Sequence, residues 1–230
     1  MSLLQLSNVR VRYGSVEVLH GIDLRVDEGE IVTILGANGA GKSTALNIIS
    51  RLLDSTKGSV LIDGKNLQSW NTKELATRLT TLGQSLHTPT RLTVEELVSF
   101  GRFPHSGGRL SADDIGVIEQ ALEYTGIVDL RNSFIDELSG GQRQMAYIAM
   151  AIAQDTKYIL LDEPLNNLDM SRAAKIMKLL KQLVREKGKT ILIVIHDINF
   201  VSFYADYVVA FKNGLLKYQG DVADIIKSDV

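Results

Sequence analysis

The sequence predicts an α/β fold that combines a small antiparallel β-layer, a parallel core sheet and an inserted helical subdomain. Three continuous apolar runs, at 31–35, 158–161 and 191–195, are typical of strands that helices cover on both faces. Near the start of the chain, apolar and polar residues instead come close to alternating, which is typical of half-buried antiparallel strands. A mostly helical segment lies between the two groups of strands.

The 230 residues fall within the range of one large domain, and 45% hydrophobic residues are ample for a core. The formal net charge is −2, and Lys and Arg are scattered rather than clustered, so we expect no nucleic-acid partner. The absence of cysteine excludes disulfides and thiolate zinc sites, and it suits a reducing cytosol. No stretch approaches the roughly 18 apolar residues of a spanning helix, so any membrane role is expected to come through a partner.

The predicted elements follow from the spacing of apolar residues. The antiparallel strands lie on either side of Gly14, and a short strand is predicted at 79–83. In two helices apolar residues recur at i, i+3, i+4 and i+7, beginning at Met145 and at Ile176. Helices are predicted at about 43–52, 94–101, 112–124, 141–153 and 171–187.

We expect a single domain over 1–230. Strands before about residue 84 and after about residue 157 form one core, and residues 85–156 form the helical subdomain inserted between them. Within that subdomain, the glycine and proline content of 101–109 predicts a turn region.

A glycine-rich loop follows the first apolar run and precedes a predicted helix, and it reads GANGAGKST from Gly36 to Thr44. A loop between strand and helix is the context that the P-loop pattern requires. Its glycines let the backbone bend around an anion and bring amide groups and the positive end of the helix close to phosphate. Lys42 adds a positive charge, and Ser43 adds a hydroxyl placed to coordinate Mg²⁺. The loop therefore predicts a nucleoside triphosphate site.

Two adjacent carboxylates, Asp162 and Glu163, end the second apolar run. In an open α/β sheet, ligands bind at the carboxyl ends of the strands. Because successive strand residues point to opposite sides, the two carboxylates can differ in role. Asp162 suits a partner of Mg²⁺ through water, and Glu163 suits a general base that orients the attacking water. On the dipeptide alone, a solvated acidic pair is the alternative.

A second glycine element, Leu138-Ser139-Gly140-Gly141-Gln142, opens a predicted helix with Ser139 placed as its cap. One nucleotide does not need two anion cradles. Two cradles on one chain therefore suggest either two ligands or one ligand clamped between two copies of the protein. Taken alone, the Ser-Gly-Gly turn is also consistent with a simple helix start.

Gln84 and His196 each follow a predicted strand. An amide can ligate Mg²⁺ weakly and reversibly, and an imidazole can hydrogen-bond a γ-phosphate or the water beside it. Both residues are candidate nucleotide sensors, whereas a lone Gln or His is more often an ordinary polar group. The other histidines, His20, His87 and His105, lack metal-ligand spacing.

In their order along the chain, these elements and Asp169 resemble the motifs of an ATP-binding cassette (ABC) ATPase. The Walker A motif corresponds to Gly36–Thr44, the Q-loop to Gln84, the signature to Leu138–Gln142, the Walker B motif to Tyr158–Glu163, the D-loop to Asp169 and the H-loop to His196. The resemblance covers essentially the whole chain and implies the P-loop NTPase fold of that family, with ATP and Mg²⁺ as cofactors. It also implies that two cassettes pack head to tail, with each ATP between one Walker A and the signature of the other copy. Tyr13 resembles the aromatic residue that stacks on adenine, with Val18 nearby.

The resemblance assigns roles to individual residues. It implies that Lys42, Glu163 and His196 are catalytic. Metal-binding roles are expected for Ser43, Gln84 and Asp162. The expected nucleotide-binding set comprises Tyr13, Val18, Gly36, Asn38, Gly39, Ala40, Gly41, Lys42, Ser43, Thr44, Gln84, Ser139, Gly140, Gly141, Gln142 and Asp169. The D-loop departs from the common Ser-Ala-Leu-Asp and reads Asn-Asn-Leu-Asp, which puts the first two positions of the contact across the dimer in doubt.

A finer resemblance relates 99–104, 162–170 and 194–200 to ATPase subunits of bacterial iron(III)-siderophore importers, especially those for catecholate-type chelates. It implies a peripheral subunit at the cytoplasmic face of the inner (plasma) membrane that forms a homodimer of cassettes on ATP binding. Its expected partners are an integral-membrane permease and a periplasmic or lipoprotein substrate-binding protein. The segment 84–109 would receive a permease helix, with Phe103 as a contact. Cobalamin or haem importers, exporter ATPases and soluble non-transport ABC ATPases are the alternatives.

Overall fold

The computed structural model describes residues 4–84, 90–166 and 168–227, with side chains described as far as Asp224. His87, part of the predicted permease-binding segment and Asn167 lie outside the described residues. The strands are β1 (Leu4–Tyr13), β2 (Val16–Val26), β3 (Ile31–Leu35), β4 (Lys57–Ile62), β5 (Lys65–Asn66), β6 (Leu79–Leu82), β7 (Tyr158–Asp162), β8 (Thr190–Val194), β9 (Tyr207–Lys212) and β10 (Leu215–Asp221). The helices are α1 (Lys42–Ile49), α2 (Thr72–Ala76), α3 (Val94–Phe100), α4 (Phe103–Ser106), α5 (Ala112–Thr125), α6 (Gly140–Ala153), α7 (Met170–Lys187), α8 (Ile198–Tyr204) and α9 (Val222–Lys227).

These strands form two sheets, which confirms the predicted α/β fold with its antiparallel layer and parallel core. The antiparallel sheet has the order β2-β1-β4-β5, and the larger sheet has the order β10-β9-β3-β8-β7-β6. All pairs in the larger sheet are parallel except β9 with β10, which form an antiparallel hairpin at one edge. This hairpin is not among the elements predicted from the sequence.

The core sheet is buried on both faces, as its apolar runs predict. In β8, Ile191 and Ile193 pack into one hydrophobic cluster with α3, α5, α6 and α7. The alternate residues Leu192 and Val194 pack into a second cluster with α1 and the antiparallel layer. Because strand residues alternate between faces, one short apolar run joins the two halves of the core.

The five predicted helices correspond to α1, α3, α5, α6 and α7, with small differences at their ends. α1 ends at Ile49 rather than near 52, and the left-handed φ of 58° at Arg51 is incompatible with its continuation. The predicted turn region at 101–109 contains the short helix α4, with Pro104 near its start. Every regular element described between β6 and β7 is helical. None of the described helices is long and apolar enough to cross a membrane.

Candidate nucleotide site

The glycine-rich loop connects β3 to α1. Gly36, Gly39 and Gly41 have φ angles of 148°, 77° and 104°, in a region that glycine adopts without the penalty of a Cβ atom. A Cβ added to Gly41 would also lie 2.6 Å from Leu19 Cδ2. The path of the loop therefore requires glycine, as expected for a backbone that must wrap around a ligand.

Lys42 is a buried charge inside this loop. Its side chain is 4% exposed, and its ammonium donates hydrogen bonds to the backbone oxygens of Gly36 at 2.9 Å and Ala37 at 3.0 Å. A buried charge needs partners, and an ammonium held by neutral carbonyls gains from a nearby anion. The loop is thus prepared for phosphate.

Asp162 ends β7 beside the first turn of α1. Burial raises the pKa of this carboxyl, against the opposing effect of a hydrogen bond from Ser43. Its Oδ1 atom is buried without a hydrogen-bond partner. An unpaired buried oxygen of this kind fits a cation or a water bound to one.

The donor groups near Asp162 suit Mg²⁺. The hydroxyl of Ser43, the amide of Gln84 and the carboxylate of Asp162 supply oxygen, the ligand atom that Mg²⁺ prefers. Within residues 4–84, 90–166 and 168–227, no three His, Asp or Glu side chains form a group that could hold a metal ion. Phosphate oxygens and water would therefore complete the coordination shell.

Glu163 follows β7 and is held by three side chains. Its Oε1 atom lies 2.7 Å from Nε2 of His196, and its Oε2 atom accepts hydrogen bonds from the amides of Gln84 and Asn166. Burial raises the pKa of Glu163, but the hydrogen bonds from these three partners lower it by more, so the pKa lies below its usual value. The carboxylate is therefore charged at neutral pH and fixed in orientation.

These groups converge on one cavity of about 840 Å³, a size within the range of small-molecule sites. Parallel strands bring the carboxyl ends of β6, β7 and β8 to the same edge, facing the loop, and His196 lies two residues beyond β8. The cavity is lined by Val18, Asn38, Gly39, Gly41, Lys42, Ser43, Thr44, Gln84, Glu163, Asn166 and His196.

Other predicted nucleotide-binding residues lie outside that lining. Tyr13 is at the end of β1 and is 52% exposed. Asp169 caps α7, and its side chain accepts a hydrogen bond from the amide of Arg172. The predicted signature residues are at the start of α6. Ala40 and Asp162 are adjacent in sequence to lining residues, and Gly36 is two residues from one, but none of the three is in the lining.

The signature begins α6 with a capping box. Gln142 N donates to Ser139 Oγ at 3.4 Å, and Ser139 N donates to Gln142 Oε1 at 3.0 Å. The first amides of a helix have no intrahelical partner, and this cap satisfies only that of Gln142. Gly140 is exposed at this positive end of the helix dipole. The chain thus has a second anion-binding feature, separate from the cavity.

Asn166 is a site residue that the sequence analysis missed. Asn166 is one of the two positions at which the D-loop departs from the common motif, and its side chain lines the cavity and donates to Glu163. The backbone amide of Asn166 also donates to the backbone oxygen of Glu163 at 3.2 Å, and this hydrogen bond closes a turn. The signal in the sequence was the spacing, since the Asn166 side-chain amide lies three residues after the Glu163 carboxylate and shortly after a strand.

Comparisons with known proteins identify the family of the chain. A family model described as "ABC transporter" matches residues 19–166. The petrobactin import ATP-binding protein YclP of Bacillus subtilis (strain 168) is 50% identical over 228 residues, which are 99% of this chain and 90% of YclP. The ferric enterobactin transport ATP-binding protein FepC of Escherichia coli (strain K12) is 40% identical over 95% of this chain and 81% of its own length. The dimeric structure of MJ0796, a bacterial ABC transporter cassette, matches with a TM-score of 0.84 and 32% identity over 95% of this chain and 98% of that one. The chain therefore belongs to the ABC transporter family, as one of its ATP-binding cassettes.

Proposed function

We propose that this chain is the ATP-hydrolysing subunit of a bacterial importer that drives uptake of iron(III)-siderophore through a separate membrane permease. The observation that carries the enzymatic part is the Glu163 carboxylate, which His196, Gln84 and Asn166 hold at the cavity that contains Lys42. The cargo class is supported by the relatives, since YclP is named for petrobactin import and FepC for ferric enterobactin transport.

Each part of the site has a distinct role in hydrolysis. Loop amides and Lys42 bind the phosphates of ATP, as the ammonium exchanges backbone carbonyls for phosphate oxygens. Ser43, Gln84 and, through water, Asp162 would hold Mg²⁺, which would supply positive charge against the phosphates. Glu163 accepts a proton from water as the water oxygen bonds to the γ-phosphorus and the β–γ bridging bond breaks, which releases ADP and phosphate.

The signature serves a second copy of the chain in this proposal. Ser139 and Gly140 are exposed and do not line the cavity, so they are available to a nucleotide held by another cassette. ATP then lies between Walker A of one copy and the signature of the other, with Asp169 at the contact and Tyr13 against adenine. Binding closes the pair and hydrolysis reopens it, which moves the permease between its two states.

The permease contact is assigned to 84–109. Phe100 and Phe103 are 54% and 60% exposed on consecutive helices, an apolar surface of the kind that binds protein partners. The permease places the subunit at the cytoplasmic face of the membrane, and a substrate-binding protein delivers cargo on the other side.

Uptake measurements test the proposal. Cells that carry Lys42→Ala on the chromosome are compared with wild type for uptake of iron-loaded siderophores, haem and cobalamin. Lys178→Ala, an exposed lysine of α7, is the matched control. We expect Lys42→Ala alone to abolish siderophore uptake selectively. Loss of haem or cobalamin uptake instead would replace iron(III)-siderophore as the assigned cargo. Unchanged uptake of all three would overturn the importer assignment.

A further inference from the structure

Arg172, near the start of α7, reaches the signature at the start of α6. A Cβ atom added to Gly141 would lie 2.7 Å from Cδ, 3.1 Å from Nη1 and 3.2 Å from Nε of Arg172. Gly141 is not among the residues with positive φ, so its backbone conformation does not demand glycine. A Cβ atom at this position would require the end of the Arg172 side chain to shift, which shows how closely Arg172 packs against the start of α6.

Asp169 of the D-loop holds the same arginine. Its Oδ2 atom lies 3.2 Å from Nε of Arg172, and its Oδ1 atom accepts the backbone amide of Arg172 at 2.9 Å. One carboxylate therefore caps α7 and fixes the guanidinium against α6. Both side chains of this ion pair are more than half exposed, so the pair contributes little to folding stability. Its main consequence is geometric.

We propose that Arg172 is a positioning residue that fixes the signature relative to Asp169, so that both segments present one surface to the second cassette. The inference rests on the proposed function, in which signature and D-loop meet the other copy. Arg172 does not line the nucleotide cavity of its own chain. Its effect should therefore appear in the pairing of cassettes and not in the binding of ATP to one chain.

The first test separates pairing from nucleotide binding. In a Glu163→Gln background, which we expect to retain ATP, association is measured by sedimentation and ATP affinity by titration at a concentration that keeps the chain monomeric. We expect Arg172→Ala to weaken ATP-driven association about tenfold while ATP affinity changes by less than about twofold. Lys178→Ala, exposed on the same helix, is expected to change neither.

A double-mutant cycle tests the route through Asp169. If Arg172 acts through that carboxylate, Asp169→Asn combined with Arg172→Ala weakens association no more than the more severe single variant does. Additive losses would overturn the proposal, because they would show that the two residues act independently.

Hydrogen exchange without nucleotide gives a readout that does not depend on turnover. Arg172→Ala is expected to accelerate exchange in peptides that cover 139–143 and to leave α5 unchanged. If the Glu163→Gln parent associates with ATP and Arg172→Ala changes neither this association nor hydrogen exchange, only the present inference is overturned. A Glu163→Gln parent that fails to associate with ATP would overturn the head-to-tail pairing, and this inference with it.

Discussion

Glu163 adopts a φ of 53°, a left-handed conformation that costs about 1 kcal/mol or more in a residue with a Cβ atom. Two backbone hydrogen bonds hold it there. Its amide donates to the Val194 oxygen at 3.1 Å, and its own oxygen accepts the Asn166 amide at 3.2 Å. Strain of this kind persists where the surroundings fix the conformation, and here they direct the carboxylate into the cavity.

Replacement of Glu163 by Gln tests the proposed base. The amide nearly preserves the shape of the side chain but cannot accept the proton of water, so we expect ATP hydrolysis to fall about a hundredfold or more. ATP affinity should stay within about twofold of wild type, because the phosphate-binding loop is intact. Phosphate release and nucleotide titration measure the two effects, with Glu123→Gln on exposed α5 surface as the control. Hydrolysis at the wild-type rate would remove Glu163 from this role.

At the residue scale, the sequence predicts the position of a side chain where a short stretch of sequence determines it, as in a loop motif or at the end of a strand. Lys42 and Ser43 have fixed places in the loop, and Glu163 and His196 are each predicted to end a strand, so their meeting follows from neighbouring parallel strands. Asn166 and Arg172 were missed because turns and helix starts determine where they reach. The approach of Arg172 to Gly141 also depends on packing between α7 and α6, which are distant in sequence.

The β9–β10 hairpin is an element that the sequence analysis missed and that supports the site. At its turn, Asn213 and Gly214 have φ of 51° and 71°, the conformation that Asn-Gly favours in hairpins. The Gly214 amide donates to the Ala40 oxygen at 3.0 Å, and the Gly214 oxygen accepts the His20 amide at 2.9 Å. The hairpin thus links the phosphate-binding loop to β2. The Asn-Gly pair was the signal, but its contact with the loop required the fold.

Replacement of Gly214 by Ala should therefore disturb the loop. A Cβ atom there would lie 2.1 Å from the Val18 oxygen, so we expect the free energy of unfolding to fall by about 1–3 kcal/mol and ATP binding to weaken. Denaturant unfolding and nucleotide titration measure these effects. Gly64→Ala is the matched control, because Gly64 has a φ of 76° but has no atom within 4 Å of an added Cβ. Equal losses in the two variants would assign the effect to backbone strain alone.

Arg102 ties three helices together. Its Nε donates to Asp114 Oδ1 at 2.8 Å near the start of α5, and its Nη1 donates to the Ala153 oxygen at 2.8 Å at the end of α6. Asp114 also accepts hydrogen bonds from Ser111 N at 2.9 Å and Oγ at 2.7 Å. These bonds from Ser111, followed by the bond from Arg102, lower the pKa of Asp114 from 3.8 to about 2.

The lowered pKa of Asp114 gives its contribution to stability a defined pH dependence. Because the folded chain favours the charged form of Asp114, its contribution to stability is complete above pH 3.8 and is lost as the pH falls towards about 2. We expect the difference in unfolding free energy between wild type and Asp114→Asn to be constant near neutral pH and to shrink below pH 3.8. Denaturant unfolding across this range measures it. Asp113→Asn, an exposed neighbour, should show no comparable loss, and a difference independent of pH would contradict the assignment.

At the scale of the whole molecule, the chain has one cavity with the phosphate-binding and hydrolytic groups, and a separate helix start that suits an anion. The residues alone predict both features but leave open whether they serve two ligands or one ligand between two copies; the family resemblance implies the second arrangement. Only the fold shows that the signature is absent from the lining of the cavity. That separation favours one ligand shared between copies, and it makes the arrangement testable by mixing defective chains.

Two inactive chains should complement each other if each site is built from both copies. In a Glu163→Gln background, Lys42→Ala removes the Walker A charge, and Gly140→Asp places a negative charge where the signature would meet phosphate. A Cβ on Gly140 has no atom within 4 Å, and an acidic residue in the first turn favours the helix, so this variant should fold. Each variant alone is expected to stay monomeric with ATP. An equal mixture should form dimers that hold one ATP, between the intact loop of the Gly140→Asp chain and the intact signature of the Lys42→Ala chain.

The control replaces Gly140→Asp by Gly116→Asp, a substitution of an exposed glycine of α5. This control variant should associate without any partner variant. If the mixture stays monomeric while the parent associates, the head-to-tail arrangement is contradicted, because only that arrangement combines the two intact halves.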